Sequence, residues 1–253
     1  MVGGGASRPA FPGSAPERGN VATICNNKIK EQKLQGRESK PVPTIAIVDY
    51  DMGNLHSVCK GLENAGATPK ITDVPAEIHQ ADAVVLPGVG AFDPAMQHLR
   101  ERNLIEPVKD AIASGKPFLG ICLGLQILFD SSEEGSEPGL GVIAGAVRRF
   151  KPEPGLTIPH MGWNRLHFTQ PDIPLWGDLP PTPWVYFVHS YYVDPINPEV
   201  RAATVTHGSQ TVTAAIARDN LMAVQFHPEK SSTTGLQILA NFVNRVRMPV
   251  LAG

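Results

Sequence analysis

Three side chains have types and spacing suited to covalent chemistry. Cys122 lies in Gly120-Ile121-Cys122-Leu123-Gly124, a G-x-C-x-G segment between an apolar strand and an apolar, helix-like run. The G-x-S-x-G elbow works by a sharp strand-to-helix turn that lifts a nucleophile off a sheet, and small neighbours relieve the crowding. At such a turn the backbone N–H of Leu123 points at a developing oxyanion. The N-terminus of the following helix favours thiolate over thiol. Alone, the segment also fits a small buried cysteine in an α/β core; its strand-turn-helix setting favours the nucleophile.

A nucleophilic cysteine needs a base. Of eight histidines, most sit in polar or half-buried contexts that fit surface or hydrogen-bonded roles. His227 instead follows an apolar strand (Leu221–Phe226) and opens His227-Pro228-Glu229. At a strand's C-terminal end it would share a rim with Cys122, where parallel α/β sheets carry their sites. Pro228 enforces extended backbone at His227, and positions i and i+2 of an extended chain face the same way. Glu229 can then hold one imidazole nitrogen while the other faces the thiol. H-x-E also occurs in zinc deaminases, but the P-C-x-x-C they need is absent.

These residues need elements to position them. Residues 44–50 read as a buried strand. Leu55, Val58, Cys59, Leu62 and Ala65 mark one helix face, with Gly66 as its stop. A short strand at 70–72 and a clearer one within 81–90 follow. Helix is expected from Pro94 to about Ala113, breaking near Asn103, and residues 116–129 read as strand, tight turn, helix. The order β-α-β-α-β-α-β-α implies a parallel sheet covered on both faces. The second half reads as strands at 141–150, 163–168, 185–193, 201–206, 212–217 and 222–226, some antiparallel, with a turn at Arg218-Asp219-Asn220. A last helix runs from about Ser232 or Thr233, either of which could cap it, to Val246. Its apolar face is Leu236, Leu239, Ala240 and Val243. The fold class is therefore α/β: a three-layer, mostly parallel central sheet flanked by helices, with an antiparallel extension.

Composition limits the alternatives. With 42% hydrophobic and 18% charged residues the chain is ordinary for a soluble globular protein. A net charge of −2 argues against nucleic acid or an anionic membrane as partner. No stretch approaches a membrane-spanning length. Cys25, Cys59 and Cys122 form no CxxC pair, which argues against a disulfide framework or a cysteine metal site and points to the cytoplasm. Residues 1–40 hold seven Lys/Arg against three Glu and are rich in Gly, Pro and polar residues. They read as a disordered extension, with an organellar transit peptide as the weaker alternative. The domain proper is 41–253.

With these residues in place, the sequence resembles the class I (triad-type) glutamine amidotransferases over about residues 44 to 247. In that family G-x-C-x-G supplies the nucleophile and H-P-E supplies base and orienter. Finer segments, Asp49–Asn54, Leu86–Phe92, Pro159–Asn164 and His189–Tyr192, resemble the glutaminase subunits of imidazole glycerol phosphate synthases. The resemblance implies glutamine hydrolysis by Cys122, His227 and Glu229 without cofactor or metal. It also implies ammonia transfer to a (β/α)8 cyclase in a heterodimer of histidine biosynthesis. Oxyanion contacts would come from Leu123 and the Gly88-Val89-Gly90 backbone, whose two glycines would let it reorient, although such residues also simply end strands. Gln126 would touch glutamine or serve structure, and Ser190 and Tyr191 would offer backbone contacts. Asn54, Met161, Trp163 and Lys230 would meet the cyclase, with ordinary core packing the alternative for Trp163. Rival readings are a pyridoxal phosphate or anthranilate-type glutaminase, a stand-alone cysteine hydrolase, and a non-catalytic subunit of the same fold.

Overall fold

A computed structural model describes residues 42–248. Its strands are β1 (Thr44–Val48), β2 (Thr68–Thr72), β3 (Ala83–Gly88), β4 (Phe118–Cys122), β5 (Phe129–Ser132), β6 (Ile143–Arg149), β7 (His160–Arg165) and β8 (His167–Phe168). They continue as β9 (Trp184–His189), β10 (Tyr191–Pro195), β11 (Arg201–His207), β12 (Gln210–Arg218) and β13 (Leu221–Val224). The helices are α1 (Leu55–Asn64), α2 (Pro75–Gln80), α3 (Phe92–Glu101), α4 (Ile105–Ala113), α5 (Leu123–Gln126) and α6 (Ser232–Arg247).

Side-chain alternation in the first strands decides the layering. Ile45 and Ile47 of β1 enter one core, Ala46 and Val48 another. Val85 and Leu119 join the first, Val84 and Phe118 the second. Strands that are apolar on both faces must be covered on both. α1 and α6 cover one face through Val58, Leu62, Leu239 and Phe242. α2, α3 and α4 cover the other through Ile78, Met96, Leu99 and Val108.

The main sheet runs β2-β1-β3-β4-β13-β12-β10-β6-β5. It is parallel from β2 to β13. Antiparallel pairing then joins β13, β12, β10 and β6, and β11 adds to β12. β7 and β9 form a separate antiparallel pair. The expected three-layer α/β architecture with an antiparallel extension is what the chain adopts.

Several local expectations change. The sequence reading assigned no residues to the crossover after Thr72, which α2 makes. The helix expected through residue 129 is one turn, α5. Beyond Gln126 the backbone turns to a neighbouring loop: Leu140 N–H donates to Ile127 O at 2.8 Å and Val142 N–H to Leu128 O at 2.9 Å. β5 therefore begins at Phe129. The strand expected over 185–193 divides at Ser190, β9 pairing with β7 and β10 with β6 and β12. At α6 the cap position is Ser231, which makes no side-chain capping bond. Its apolar face centres on Ile238, Leu239, Phe242 and Val243, while Leu236 is exposed. Residues 1–40, read as an extension, lie outside the described residues. Among those described, no helix is long and apolar enough to cross a membrane.

Candidate active site

Cys122 closes β4 at φ 54° and ψ −108°, a conformation that costs a non-glycine residue on the order of 1–3 kcal/mol. The flanking glycines make it reachable. A Cβ on Gly124 would collide with the Leu86 carbonyl, and one on Gly120 with the Gly124 carbonyl and Ala223. The elbow inferred from G-x-C-x-G is therefore built. Its helical support is weaker than expected, because α5 is too short to develop much of a dipole.

β13 lies parallel beside β4, with Ala223 opposite Gly120 and Val224 opposite Ile121. That register brings the residues after β13 to the elbow. His227 is extended (φ −101°, ψ 99°), as Pro228 demands, but Pro228–Lys230 form a 3-10 turn rather than the expected extended chain. The side chains meet all the same: His227 Nδ1 lies 2.8 Å from Glu229 Oε1, and they are 2% and 1% exposed. A carboxylate only accepts, so Nδ1 carries the hydrogen and Nε2 is left as the base. The backbone is also fixed. His227 N–H donates to Tyr186 O at 3.0 Å, and Ser231 Oγ–H donates to His227 O at 2.6 Å.

His227 Nε2 is buried with no partner at hydrogen-bonding geometry. Burial lowers the ring's proton affinity, but hydrogen bonding to Cys122 and Glu229 outweighs it and raises the pKa to about 9. Cys122 is thus near enough to raise the ring's proton affinity while Nε2 has no aligned hydrogen bond, as is common in unliganded sites.

A cavity of about 310 Å³ opens here, bounded by Val89, Gly90, Cys122, Leu123, Gln126, Ser190, Tyr191 and His227. These were all named from sequence; Gly88 and Glu229 do not line the cavity. Val89 N–H donates to Met52 O at 3.2 Å, so in this arrangement it is engaged away from a substrate. Gln126 is 5% exposed, and its Nε2 donates to Tyr191 O and to Gln225 Oε1, both at 3.1 Å. Its amide protons and the Tyr191 carbonyl are used inside the protein.

The sequence reading missed four groups. Gln225 is fully buried, with Nε2 3.7 Å from Cys122 Sγ; a glutamine inside an apolar strand end was the available signal. Glu134 lines the cavity and accepts from Phe92 N–H at 2.9 Å, and burial raises its pKa. His189 lines it too, donating from Nδ1 to Tyr191 O at 2.8 Å. Tyr50, wholly buried with an unpartnered hydroxyl, lies against Gly88. Tyr50 and His189 stood in the family-like segments without a role of their own, and nothing in the sequence marks Glu134.

The four residues named for docking do not join the cavity. Met161 and Trp163 are 62% and 50% exposed on one face of β7, so Trp163 is not core. Asn54 is half-buried at the start of α1, and Lys230 is exposed beside Glu229.

The profile of "Glutamine amidotransferase class-I" matches residues 46–246. Imidazole glycerol phosphate synthase subunit HisH of Gloeothece citriformis is 76% identical over 208 residues, covering 82% of this chain and 99% of that one. The subunit of the same name from Nostoc punctiforme is 74% identical over 211 residues, 83% and 100% of the two chains. The structure of PurLQS from Thermotoga maritima superposes with a TM-score of 0.63 at 20% identity over 81% of this chain and 99% of that one, a likeness of fold. The chain belongs to the class-I glutamine amidotransferase family.

Proposed function

We propose that this chain hydrolyses glutamine to glutamate and ammonia through Cys122, His227 and Glu229, and delivers the ammonia to the (β/α)8 cyclase of an imidazole glycerol phosphate synthase. The buried His227–Glu229 pair on the rim of the Cys122 cavity carries this reading. The names of the relatives favour this synthase over a pyridoxal phosphate or anthranilate-type enzyme.

Glutamine enters with its side-chain amide against Cys122. His227 Nε2 takes the thiol proton, the sulfur attacks the amide carbon, and Glu229 holds the resulting imidazolium. Leu123 N–H and the Gly88-Val89-Gly90 backbone receive the oxyanion; one such donor is typically worth about 3 kcal/mol. Val89 N–H must leave Met52 to contribute, which fits a site that idles until its partner is ready. His227 then protonates the departing ammonia, and water cleaves the thioester. Gln126, Ser190 and Tyr191 shape the amino-acid end, where Glu134 offers a carboxylate.

The cyclase docks on the outward side chains of β7, Met161 and Trp163, with Asn54 and Lys230. An exposed aromatic and a flexible thioether suit such a surface. A contact at Lys230 is one residue from Glu229 and would be felt at the base.

Cys122→Ala decides the reading. The reconstituted complex should lose glutamine-dependent product formation and keep synthesis from added ammonium. Retention of glutamine-dependent activity would exclude Cys122 as nucleophile.

A further inference from the structure

We infer that Gln225 is a further catalytic residue, whose side-chain N–H donates to the Cys122 sulfur in an orientation imposed, through Gln126, by the Tyr191 carbonyl. This rests on Cys122 being the nucleophile. Gln225 is fully buried at the end of an otherwise apolar strand. Its backbone N–H donates to Ala214 O at 2.8 Å, which holds it in the sheet. A buried amide costs stability unless its polar atoms are paired, and here Nε2 faces Cys122 Sγ at 3.7 Å while Oε1 accepts from Gln126 at 3.1 Å.

Only one arrangement of this amide is compatible with its surroundings. The Tyr191 carbonyl can only accept, and it receives His189 Nδ1 at 2.8 Å and Gln126 Nε2 at 3.1 Å. Gln126 must therefore present its NH2 group inward. Gln225 must offer it Oε1, so its own NH2 is turned to the sulfur. Reversing the Gln225 amide would set two NH2 groups against each other and an oxygen against Sγ. Further out, His189 Nε2 lies 2.9 Å from His160 Nδ1, and Asn164 Nδ2 lies 3.1 Å from His160 Nε2. Because His189 Nδ1 already donates to a carbonyl, its Nε2 accepts and His160 Nδ1 donates. Donation from β7, the strand that carries Trp163, thus ends on the Tyr191 carbonyl, the same acceptor that orients Gln126 and, through it, Gln225.

A donor at sulfur is strongest while the sulfur is charged. It enlarges the thiolate population but reduces the intrinsic reactivity of each thiolate. His227 and Tyr50 also face Cys122, with Glu134 across the cavity and Glu229 behind the imidazole; all remain in a Gln225 variant.

The test is the alkylation rate of Cys122 by iodoacetamide in the full chain, read by peptide mapping apart from Cys25 and Cys59. Gln225→Met should react roughly threefold more slowly than the parent near pH 6 and faster than the parent near pH 10. Should Met disturb folding, Gln225→Asn, whose amide is a methylene too short to span from Gln126 to Sγ, should show the same reversal. A rate ratio that does not change with pH in the folded variant overturns the inference, because a merely structural disturbance slows both ends alike. Alkylation of Cys122 that leaves glutamine turnover intact would instead remove the nucleophile assignment, whatever Gln225 does.

Discussion

His227 is pulled in two directions. Burial disfavours its charged form, while Cys122 and Glu229 favour it strongly enough to raise its pKa to about 9. In the proposed reaction such a ring would hold, at neutral pH, the proton it takes from the thiol and still have it to give to ammonia. Glutamine-dependent kcat/KM of the complex should therefore fall as pH rises through about 9, where that acid is lost. Glu229→Gln removes a group that raises the ring's proton affinity, so this basic limb should move to lower pH. The rate should also fall roughly 100-fold, less than for Cys122→Ala or His227→Ala, since Glu229 orients rather than reacts. A pH–rate profile of the variant with its basic limb unmoved would show that Glu229 does not set the base.

At the scale of elements, the β4–α5 elbow is the most demanding piece of backbone. Gly124→Ala drives a Cβ into the Leu86 carbonyl, and rigid backbone on both sides leaves little room to relax. It should cost about 3 kcal/mol or more in urea unfolding, the upper range for overpacking. Gly115→Ala is the control: φ is +80° but nothing lies within 4 Å, so only the left-handed penalty of about 1–2 kcal/mol applies. Equal losses in the two variants would contradict the collision. The elbow was legible because its need for small residues is local and is written in Gly120 and Gly124. That His227 and Glu229 meet was legible from their spacing and from the extended backbone that Pro228 demands at His227, although the 3-10 turn that brings them together was not. What escaped depends on distant partners. Leu125 to Phe129 read as continuing helix, yet the loop at 139–143 takes their carbonyls. The run 185–193 reads as one strand, yet its halves pair with different sheets. Gln225 was visible as an anomaly, but its task appears only when β13 is set beside β4.

Across the whole molecule, the β7–β9 pair shows the cavity one face and solvent the other. Met161 and Trp163 point out, and His160 and His189 point in, His160 stacked with Phe187 and His207 and His189 tilted against Phe187. That inner layer ties global stability to pH. Burial lowers the pKa of His160 to about 4 and of His189 to about 3; in His160 the neighbouring His207 adds to the effect. In His189 the Tyr191 carbonyl opposes burial, and His160, His207 and His227 reinforce it. Both folded values lie below the ordinary histidine value of about 6.5, so between them the unfolded chain binds more protons. The stability these rings contribute is fully present above about pH 6.5 and drains away as pH falls toward their folded values. His227, held near 9, works the other way: the folded ring keeps its proton while the unfolded ring is only partly protonated near neutrality, so between about pH 7 and about pH 6 it adds stability as pH falls and offsets a small part of that decline. Salt-bridged carboxylates such as Asp51, whose pKa is lowered by Arg102, lose their stabilising charge at more acidic pH. Urea-unfolding free energies taken from about pH 7 to about pH 4.5 should therefore decline by a few kcal/mol. In a variant with His160 replaced by Gln, that decline should be smaller. A flat profile in the parent would mean that the two rings are not held neutral by the fold.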